Sequence, residues 1–580
     1  MVSKIRSSAI SITTVKERFH RYRLSIWGLS GVGCLCFLPV IYAADEDKVS
    51  ASIPAVIEEA PRPVSTTRLS KTPLTLLRLC WRIVVLAFFF APVVITFPVW
   101  WYMNRQRIAR GGRGEDGGVR LWWVRLCAWA LERCGPFFIK LGQWTSSRTD
   151  LIPPEICAVF ARLQNRVTPH PFSATRSAVQ ALYNNVPLDD IFIEFDVDPI
   201  GVGAVAQVHR AVLKPTDTSP PVECAIKVLH PNVEEQVSID LALLVAFGAF
   251  LSLFPAAKYL SVSEEIATFD RMMRDQMDMT IEARNLDIFR ENFEGQDEKG
   301  RRRGVANVTF PKPLKASRRV LVETFHHGLL LRSLLDNGPT PYDGQLAHIG
   351  VSAFMQMILK DNFYHCDLHP GNILITFSRT PSSPSMAQKA GAWLTTKIDP
   401  TQDAKTQFLF HPQTLARDAL DNLARAPLDA WKSILQRMLN EGYEPQVVLL
   451  DAGIVSSLSP KNMDNVKESF RAGLEYDGAR IAELLLTRCK DPDNVRDPEG
   501  AKETLRVIMD DLKMDAGGRL PLSRIHTAKI IARVATLLRD HRIGLDGEFV
   551  GLFVCSVIIE GVGRKLDADM DLLEPLAEYL

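Results

Sequence analysis

Residues 365–372 read His-Cys-Asp-Leu-His-Pro-Gly-Asn, and residues 449–454 read Leu-Leu-Asp-Ala-Gly-Ile. Asp367 and Asn372 stand five positions apart across a Pro370–Gly371 turn, tight enough to aim the carboxamide back towards a shared centre. Asp451 closes an apolar run. Asp451 and Asn372 offer the hard oxygen ligands that Mg²⁺ prefers, and Asp367 suits a general base or a group that orients water. Upstream, Lys227 lies in an alternating apolar stretch, Val-Glu-Cys-Ala-Ile-Lys-Val-Leu-His over 222–230. A lysine turned inward there needs an anionic partner, either a phosphate or a helix carboxylate, whereas on an edge strand it would face water. Asp278, Glu282 and Asn285 recur at helical spacing on one stripe. They can provide that carboxylate or form a solvated polar face. Gly201 and Gly203 precede Ala206 in Gly-Val-Gly-Ala-Val-Ala-Gln-Val-His, where a missing Cβ lets the backbone approach phosphates. Taken alone, this stretch equally suits a glycine-containing hairpin.

These residues need elements to hold them. The alternating Val- and Ile-rich stretch 191–230 predicts strands joined by a hairpin. Residues 119–133 suggest a helix, with a second after Gly135 and Pro136. Periodicity predicts helices over 263–293 and 344–362, the latter ending at the Asp367 loop. Residues 377–408 are polar and aperiodic, 412–441 look helical with a break near Pro427, and 455–580 is mostly helical. The stretches Ile-Leu-Ile-Thr (373–376) and Gln-Val-Val-Leu-Leu (446–450) should meet as neighbouring strands, leaving the segment between them as a surface insertion.

The N-terminal region points to a membrane and an organelle. Residues 1–23 carry Lys4, Arg6, Lys16, Arg18, Arg21 and Arg23 against the single acid Glu17, with many hydroxyl residues between. That composition suits a mitochondrial presequence. The uncharged stretch Leu24–Ala44 leaves a secretory signal or a span as alternatives. Residues 45–73 are rich in Ser, Pro, Thr and Ala, as linkers are. The uncharged run from Ile83 to Met103 has the ~20 residues that cross a bilayer. Trp100, Trp101 and Tyr102 cluster at one end, and Arg105, Arg107, Arg110 and Arg113 follow. A buried core helix is the alternative, although Pro92 and Pro98 suit a span better. The basic flank places everything after residue 104 on the positive-inside face. In the 580-residue chain, 68 basic and 67 acidic residues nearly cancel, so nucleic-acid binding has no support from charge. The 10 cysteines include no Cys-x-x-Cys pair, which excludes an obvious zinc site or disulfide framework.

The order of the chemistry-bearing residues is that of a protein kinase: glycine loop, strand lysine, helix glutamate, catalytic-loop Asp and Asn, metal-holding Asp. Further motifs carry a narrower resemblance. Phe-Phe-Ile-Lys-Leu-Gly-Gln (137–143) contains a Lys-x-Gly-Gln motif as Lys140, Gly142 and Gln143. Ala-Gln-Val-His-Arg-Ala (206–211), the 365–372 loop and Glu-Gly-Val-Gly-Arg-Lys-Leu-Asp (560–567) complete it. Over about 120–580 the chain resembles the UbiB/ABC1, or aarF-domain-containing, family of atypical kinases, and a mitochondrial member of it in particular.

The resemblance implies an α+β, two-lobed protein-kinase-like fold with an N-terminal helical extension folded over the active site, behind a membrane-spanning N-terminal segment. The implied organisation is a targeting region at 1–44, a linker at 45–82, a transmembrane helix at 83–103, the helical extension at 119–190, a smaller lobe at 191–325, and a larger lobe at 326–580 with an insertion at about 377–445. It implies ATP and Mg²⁺ as cofactors. Asp367 and Lys227 would be catalytic. Gly201, Gly203, Ala206, Lys227 and Glu282 would hold nucleotide, and Asn372 and Asp451 the metal. Lys140, Gln143 and Asp278 would guard the pocket. The implied partners are a membrane lipid or small lipophilic substrate and a lipid or coenzyme Q biosynthesis complex, at the mitochondrial inner membrane with the kinase-like domain facing the matrix. Two departures stand out. Gln276 occupies the place of the family's Glu before Asp278, and Ala452 the place of the Phe after the metal-holding Asp. They leave two alternatives, a nucleotide-switched pseudokinase scaffold and a protein Ser/Thr kinase. The absence of an Ala-Pro-Glu triplet after Asp451 weighs against the latter.

Overall fold

The computed structural model describes residues 73–516 apart from several internal stretches, chiefly 252–261 and 380–427, and parts of 533–579. The expected targeting region 1–44, the linker up to residue 72 and the heart of the insertion lie outside the described residues.

The apolar run folds into a helix longer than expected, α1 (Pro73–Ala109), so residues 73–82 are helix rather than linker. Helix α2 (Gly118–Cys134) returns antiparallel along it. Aromatic residues hold the pair: Phe89 meets Trp129 edge to face, Trp100 stacks on Trp123, and the Trp123 indole N–H donates to the Val93 carbonyl at 2.9 Å. At the other end, Arg82 donates to both oxygens of Asp240 at 2.6 and 2.7 Å and to the Cys134 carbonyl at 2.6 Å. Asp240 is fully buried. The opposite face of α1 is exposed among the described residues. Leu77, Trp81, Val84, Phe88, Ile95, Val99 and Tyr102 form an exposed stripe at helical spacing.

Helices α3 (Pro136–Ser147), α4 (Pro154–Phe160), α5 (Phe172–Leu182) and α6 (Leu188–Ile191) lead into the smaller lobe. Its sheet contains β1 (Phe192–Phe195), β2 (Gly201–Val202), β3 (Ala206–Leu213) and β4 (Val222–Leu229). Helices α7 (Val233–Leu251), α8 (Val262–Asp275) and α9 (Met279–Glu294) follow. The short strand β5 (Val308–Thr309) leaves for the other lobe, and β6 (Pro313–Ala316) and β7 (Val320–Thr324) complete the first sheet in the antiparallel order β1-β3-β4-β7-β6, with β2 on β3. Period-2 alternation divides its faces. Cys224, Ile226, Val228, Val320 and Val322 pack with Val179 of α5, while Lys227 belongs to the other face. The single helix expected over 263–293 is two, broken at 276–278. Asp278 caps α9, its carboxylate accepting from the Thr280 amide at 3.0 Å.

In the larger lobe, β8 (Leu329–Leu330) precedes α10 (Leu331–Asp336) and α11 (Asp343–Met355), whose last turn widens over Gln356–Lys360. Strand β9 (Tyr364–His365) opens the Asp367 loop and β10 (Ile373–Arg379) closes it. Helix α12 (Leu428–Asn440) and strand β11 (Tyr443–Leu449) return the chain. Strands β10 and β11 pair antiparallel from Ile373↔Leu449 to Arg379↔Tyr443, in the sheet order β5-β11-β10-β8. The expected insertion bounds are therefore too wide. Pairing continues past residue 377, and Trp431, Leu435 and Met438 of α12 are buried in the main core rather than projecting from it. Strand β12 (Val455–Ser456) pairs with β9, and α13 (Pro460–Leu474), α14 (Gly478–Thr487) and α15 (Pro498–Ala516) follow. Val562 and Leu566, from the 560–567 motif, pack against the main core.

Candidate active site

Lys227 enters the space between the lobes from β4 and finds two carboxylates. Its ammonium donates to both oxygens of Glu282 on α9 at 2.7 and 2.8 Å, and lies 3.2 Å from Asp451 Oδ2. The side chains of Lys227 and Glu282 are only 19% and 5% exposed, so this pair is largely out of water. Burial alone would lower the basicity of Lys227, but the charges of Asp451 and Glu282 raise it well above its ordinary value. Burial would likewise raise Asp451. Lys227 foremost, with His365, the Gly453 amide and Lys140, instead holds its carboxyl well below the usual range.

The turn after Asp451 is tied down by backbone contacts. Asp451 Oδ1 accepts from the Gly453 amide at 2.7 Å. A Cβ at Gly453 would sit 3.1 Å from that oxygen, which accounts for glycine there. Ala452 is fully buried, and its carbonyl accepts from the Asn285 side chain at 2.8 Å. Where a kinase has a Phe side chain to pack, this chain fixes the turn to α9 through Asn285.

The catalytic-loop residues converge on the same place. The fully buried His365 joins both halves: its Nε2 donates to the Asp451 carbonyl at 2.5 Å and its Nδ1 accepts from the Asp367 amide at 2.8 Å. These two partners require the neutral Nε2–H tautomer. Burial, which lowers the pKa of the ring, favours the same neutral form against the pull of Asp451 and Asp367. The Asn372 carboxamide donates to the Asp367 carbonyl at 3.3 Å, and its backbone carbonyl accepts from Leu450 at 3.0 Å. Among the described residues, neither the Asp367 carboxylate nor Asn372 Oδ1 has a protein partner, so both remain available to a ligand. No group of three or more His, Cys, Asp or Glu among the described residues could hold a metal by itself. The donor set of Asp451 and Asn372 fits Mg²⁺, a hard ion that takes few protein ligands and completes its shell with phosphate and water.

The expected guard residues divide. Lys140 makes no ion pair among the described residues, yet contributes positive potential at Asp451. Gln143 is engaged within the extension. Its amide donates to the Leu163 carbonyl at 3.0 Å, and Leu163 packs so close to Gly142 that an added Cβ would lie 2.2 Å from its Cδ1. Gly142 and Gln143 thus bind the extension to itself. Asp278 caps α9 and lies 3.5 Å from the Arg318 guanidinium. The cause is local: Asp278 is the N-cap of α9 with extended, non-helical backbone (φ −123°, ψ 97°), so the helical stripe of Glu282 does not include it.

The glycine loop is held from beneath by a network that sequence reasoning missed. Gly203 donates to the Ala206 carbonyl at 2.8 Å, and its own carbonyl accepts from His230 Nε2 at 3.0 Å. His230 and His170 then meet through their Nδ1 atoms at 2.8 Å, and His170 Nε2 accepts from the Thr175 hydroxyl at 2.9 Å. Gln207 donates to His209 Nε2 at 2.9 Å, and His209 Nδ1 donates to the Asp196 carbonyl at 2.9 Å. One neutral tautomer of each ring satisfies the whole chain. Burial first, then His230, His209 and Arg319, lowers His170 from its ordinary 6.5 to about 4. The folded state therefore binds fewer protons than the unfolded one between these values. Its stability should be full above pH 6.5 and decline as pH falls towards about 4. Thermal unfolding across that range should show a shallower decline for His170→Gln, and an unchanged slope would refute the assignment. Only scattered histidines were visible beforehand, since their contacts join segments 60 residues apart.

The chain is similar to known proteins over most of its length. The ABC1 atypical kinase-like domain matches residues 162–386. Asp451 lies beyond the match and is returned to the site by the β10–β11 pairing. The chain is similar to an ABC1 family protein of Schizosaccharomyces pombe, named mitochondrial, at 30% identity over 85% of this chain and 69% of the relative. A second ABC1 family protein named mitochondrial, from Saccharomyces cerevisiae, is 31% identical over 84% of this chain and 71% of its own. A probable protein kinase UbiB of Xanthomonas campestris is 27% identical over 76% and 67%.

Proposed function

Because the chain belongs to the ABC1 family of atypical kinases, we propose that it is a mitochondrial, membrane-associated phosphotransferase or ATPase that binds Mg-ATP and serves lipid or coenzyme Q metabolism. The observation that carries this reading is the meeting of Lys227 with both Glu282 and Asp451. It joins strand, helix and metal-side residues from three distant parts of the chain. Lys227, oriented by Glu282, holds the α- and β-phosphates. Asp451 and Asn372 Oδ1 would hold Mg²⁺, which when bound neutralises charge on the phosphate oxygens. Asp367 orients an attacking hydroxyl or water and takes its proton. The Gly201–Gly203 loop, pinned through His230, covers the phosphates, and Lys140 adds positive charge on the extension side. A lipophilic acceptor is supported by the family resemblance and by the exposed apolar stripe of α1. That face meets lipid while both ends of α1 stay on the side of the kinase domain.

The test uses the full-length chain in lipid nanodiscs, with nucleotide-dependent thermal stabilisation and ATP turnover measured together. Mg-ATP should stabilise the protein, and Asp451→Asn should remove the Mg²⁺-dependent part. Asp367→Asn should keep the stabilisation and lose turnover by about 100-fold or more. Stabilisation of the parent chain without turnover would replace the enzyme by a nucleotide-switched scaffold. No nucleotide effect at all would sink the phosphate-site reading.

A further inference from the structure

One carboxyl beside this cluster has no part in the mechanism above. Glu323 lies on β7, directly opposite Ala225 of β4, while Leu321 lies opposite Lys227. Residues opposite one another share a sheet face, and so do residues two apart. Glu323 therefore belongs to the face that carries Lys227, Ala225 and Val208, the last paired with Lys227 from β3. It is 7% exposed, and its Oε2 is buried without a hydrogen-bond partner. Its electrostatic neighbours are Glu282, Lys227 and Asp451, so the carboxyl is turned into the cleft and not towards α5. Glu323 also stands one residue before the end of β7, where the chain crosses through Phe325–Gly328 to β8 and the larger lobe. The position is a diagonal cross-strand neighbour of Lys227, about 7–8 Å away, towards the link between the lobes. A nucleotide whose phosphates meet Lys227 and whose long axis runs towards that link would place its base on this side.

We propose that Glu323 reads the base of the nucleotide, its carboxyl accepting a hydrogen bond from the 6-amino group of an adenine. The inference rests on the nucleotide site proposed above and adds to it a specificity determinant. Burial, and then the negative charge of Glu282, raise the Glu323 pKa well above its ordinary value, which favours the neutral form. A neutral carboxyl presents one donor and one acceptor side by side. Adenine offers the complement on one edge, the N6 amino donor beside the N7 acceptor, whereas a 6-oxopurine presents two acceptors there. The carbonyl oxygen of Glu323 would then face the 6-oxo group, and one buried acceptor would stay unpaired. An apolar residue at this position would fill the space without distinguishing the bases.

The experiment compares apparent affinities for Mg-ATP, Mg-ITP and Mg-GTP, read by thermal stabilisation of the full-length chain in nanodiscs. The parent chain should prefer ATP over ITP by about tenfold or more. Glu323→Gln, which keeps a donor and an acceptor in similar places, should retain the preference. Glu323→Leu should still bind nucleotide but bring ATP and ITP to within about twofold. Its melting temperature without nucleotide should not fall, because no protein partner loses a bond to Oε2. Undiminished ATP preference in Glu323→Leu, or equal binding of ATP and ITP by the parent chain, overturns the inference and leaves the phosphate site intact. Failure of every nucleotide to stabilise the parent chain overturns both.

Discussion

Replacing Lys227 by methionine should lower the unfolding free energy by about 3–5 kcal/mol and abolish stabilisation by Mg-ATP. The reason is asymmetric. Lys227 lies between two carboxylates, and Glu282 is almost wholly buried. Removing the ammonium leaves Glu282 near Asp451 with no counter-charge, so a carboxylate must stay ionised out of water or take up a proton against its normal tendency. The loss should thus be far larger than for an exposed ion pair such as Arg506–Asp510, which water and salt screen. The companion variant separates stability from binding. In Lys227→Met combined with Glu282→Gln, the buried charge is gone, so most of the stability should return while nucleotide stabilisation stays absent. Denaturant unfolding of the parent, both single variants and the double variant reads the coupling directly. A single variant as stable as the parent would show that the ion pair is not desolvated. A double variant as unstable as Lys227→Met would show that the loss comes from packing.

That cluster was legible in the sequence because its chemistry demands particular side chains in a particular order. Lys227, Glu282, Asp367, Asn372 and Asp451 each carried a weak or moderate signal, and together they implied a space in which all five meet. The structure brings them to one place. What could not be read were features set by where local elements stop. Asp278 and Glu282 are four apart, which implies one stripe only if both have helical backbone, and Asp278 is an N-cap in extended conformation. Gln143 and Lys140 share a helix face by spacing, but the partner that draws Gln143 away, Leu163, sits 20 residues on and carried no signal. Glu323 was hidden for the opposite reason. In Val-Leu-Val-Glu-Thr it looks like a polar residue at the end of a strand, and only the register against Ala225 places it inward. The insertion was overdrawn because polar composition marks where a loop lies but not where strand pairing ends.

The side of the membrane on which α1 begins should be the side that carries the kinase domain. A simple span over 83–103 puts residues before 82 and residues after 104 on opposite faces. The packing of α1 opposes this arrangement. Arg82 is bound to the buried Asp240 of α7, which fixes the start of the apolar stretch to the smaller lobe. Helix α2 then follows α1 back along its length to Cys134, beside the same arginine. With that clamp closed, a spanning α1 would require α2 to cross as well. Seventeen residues of helix reach only about 25 Å, short of the ~30 Å hydrocarbon core. Helix α2 also carries Arg120, Arg125, Glu132 and Arg133, and each arginine held at the bilayer centre would cost about 2.5–3.5 kcal/mol. The stripe from Leu77 to Tyr102 offers another solution: over about 37 Å it can enter one leaflet from the side while α2 shields the other face. Protease sites placed separately within residues 60–70 and 110–117, in vesicles with the kinase domain outside, decide between these arrangements. Cleavage at both from outside is the expected result. Protection of the 60–70 site alone would establish a single span and require the Arg82–Asp240 clamp to open in lipid. Protection of the 110–117 site alone would mean that α1 and α2 cross together.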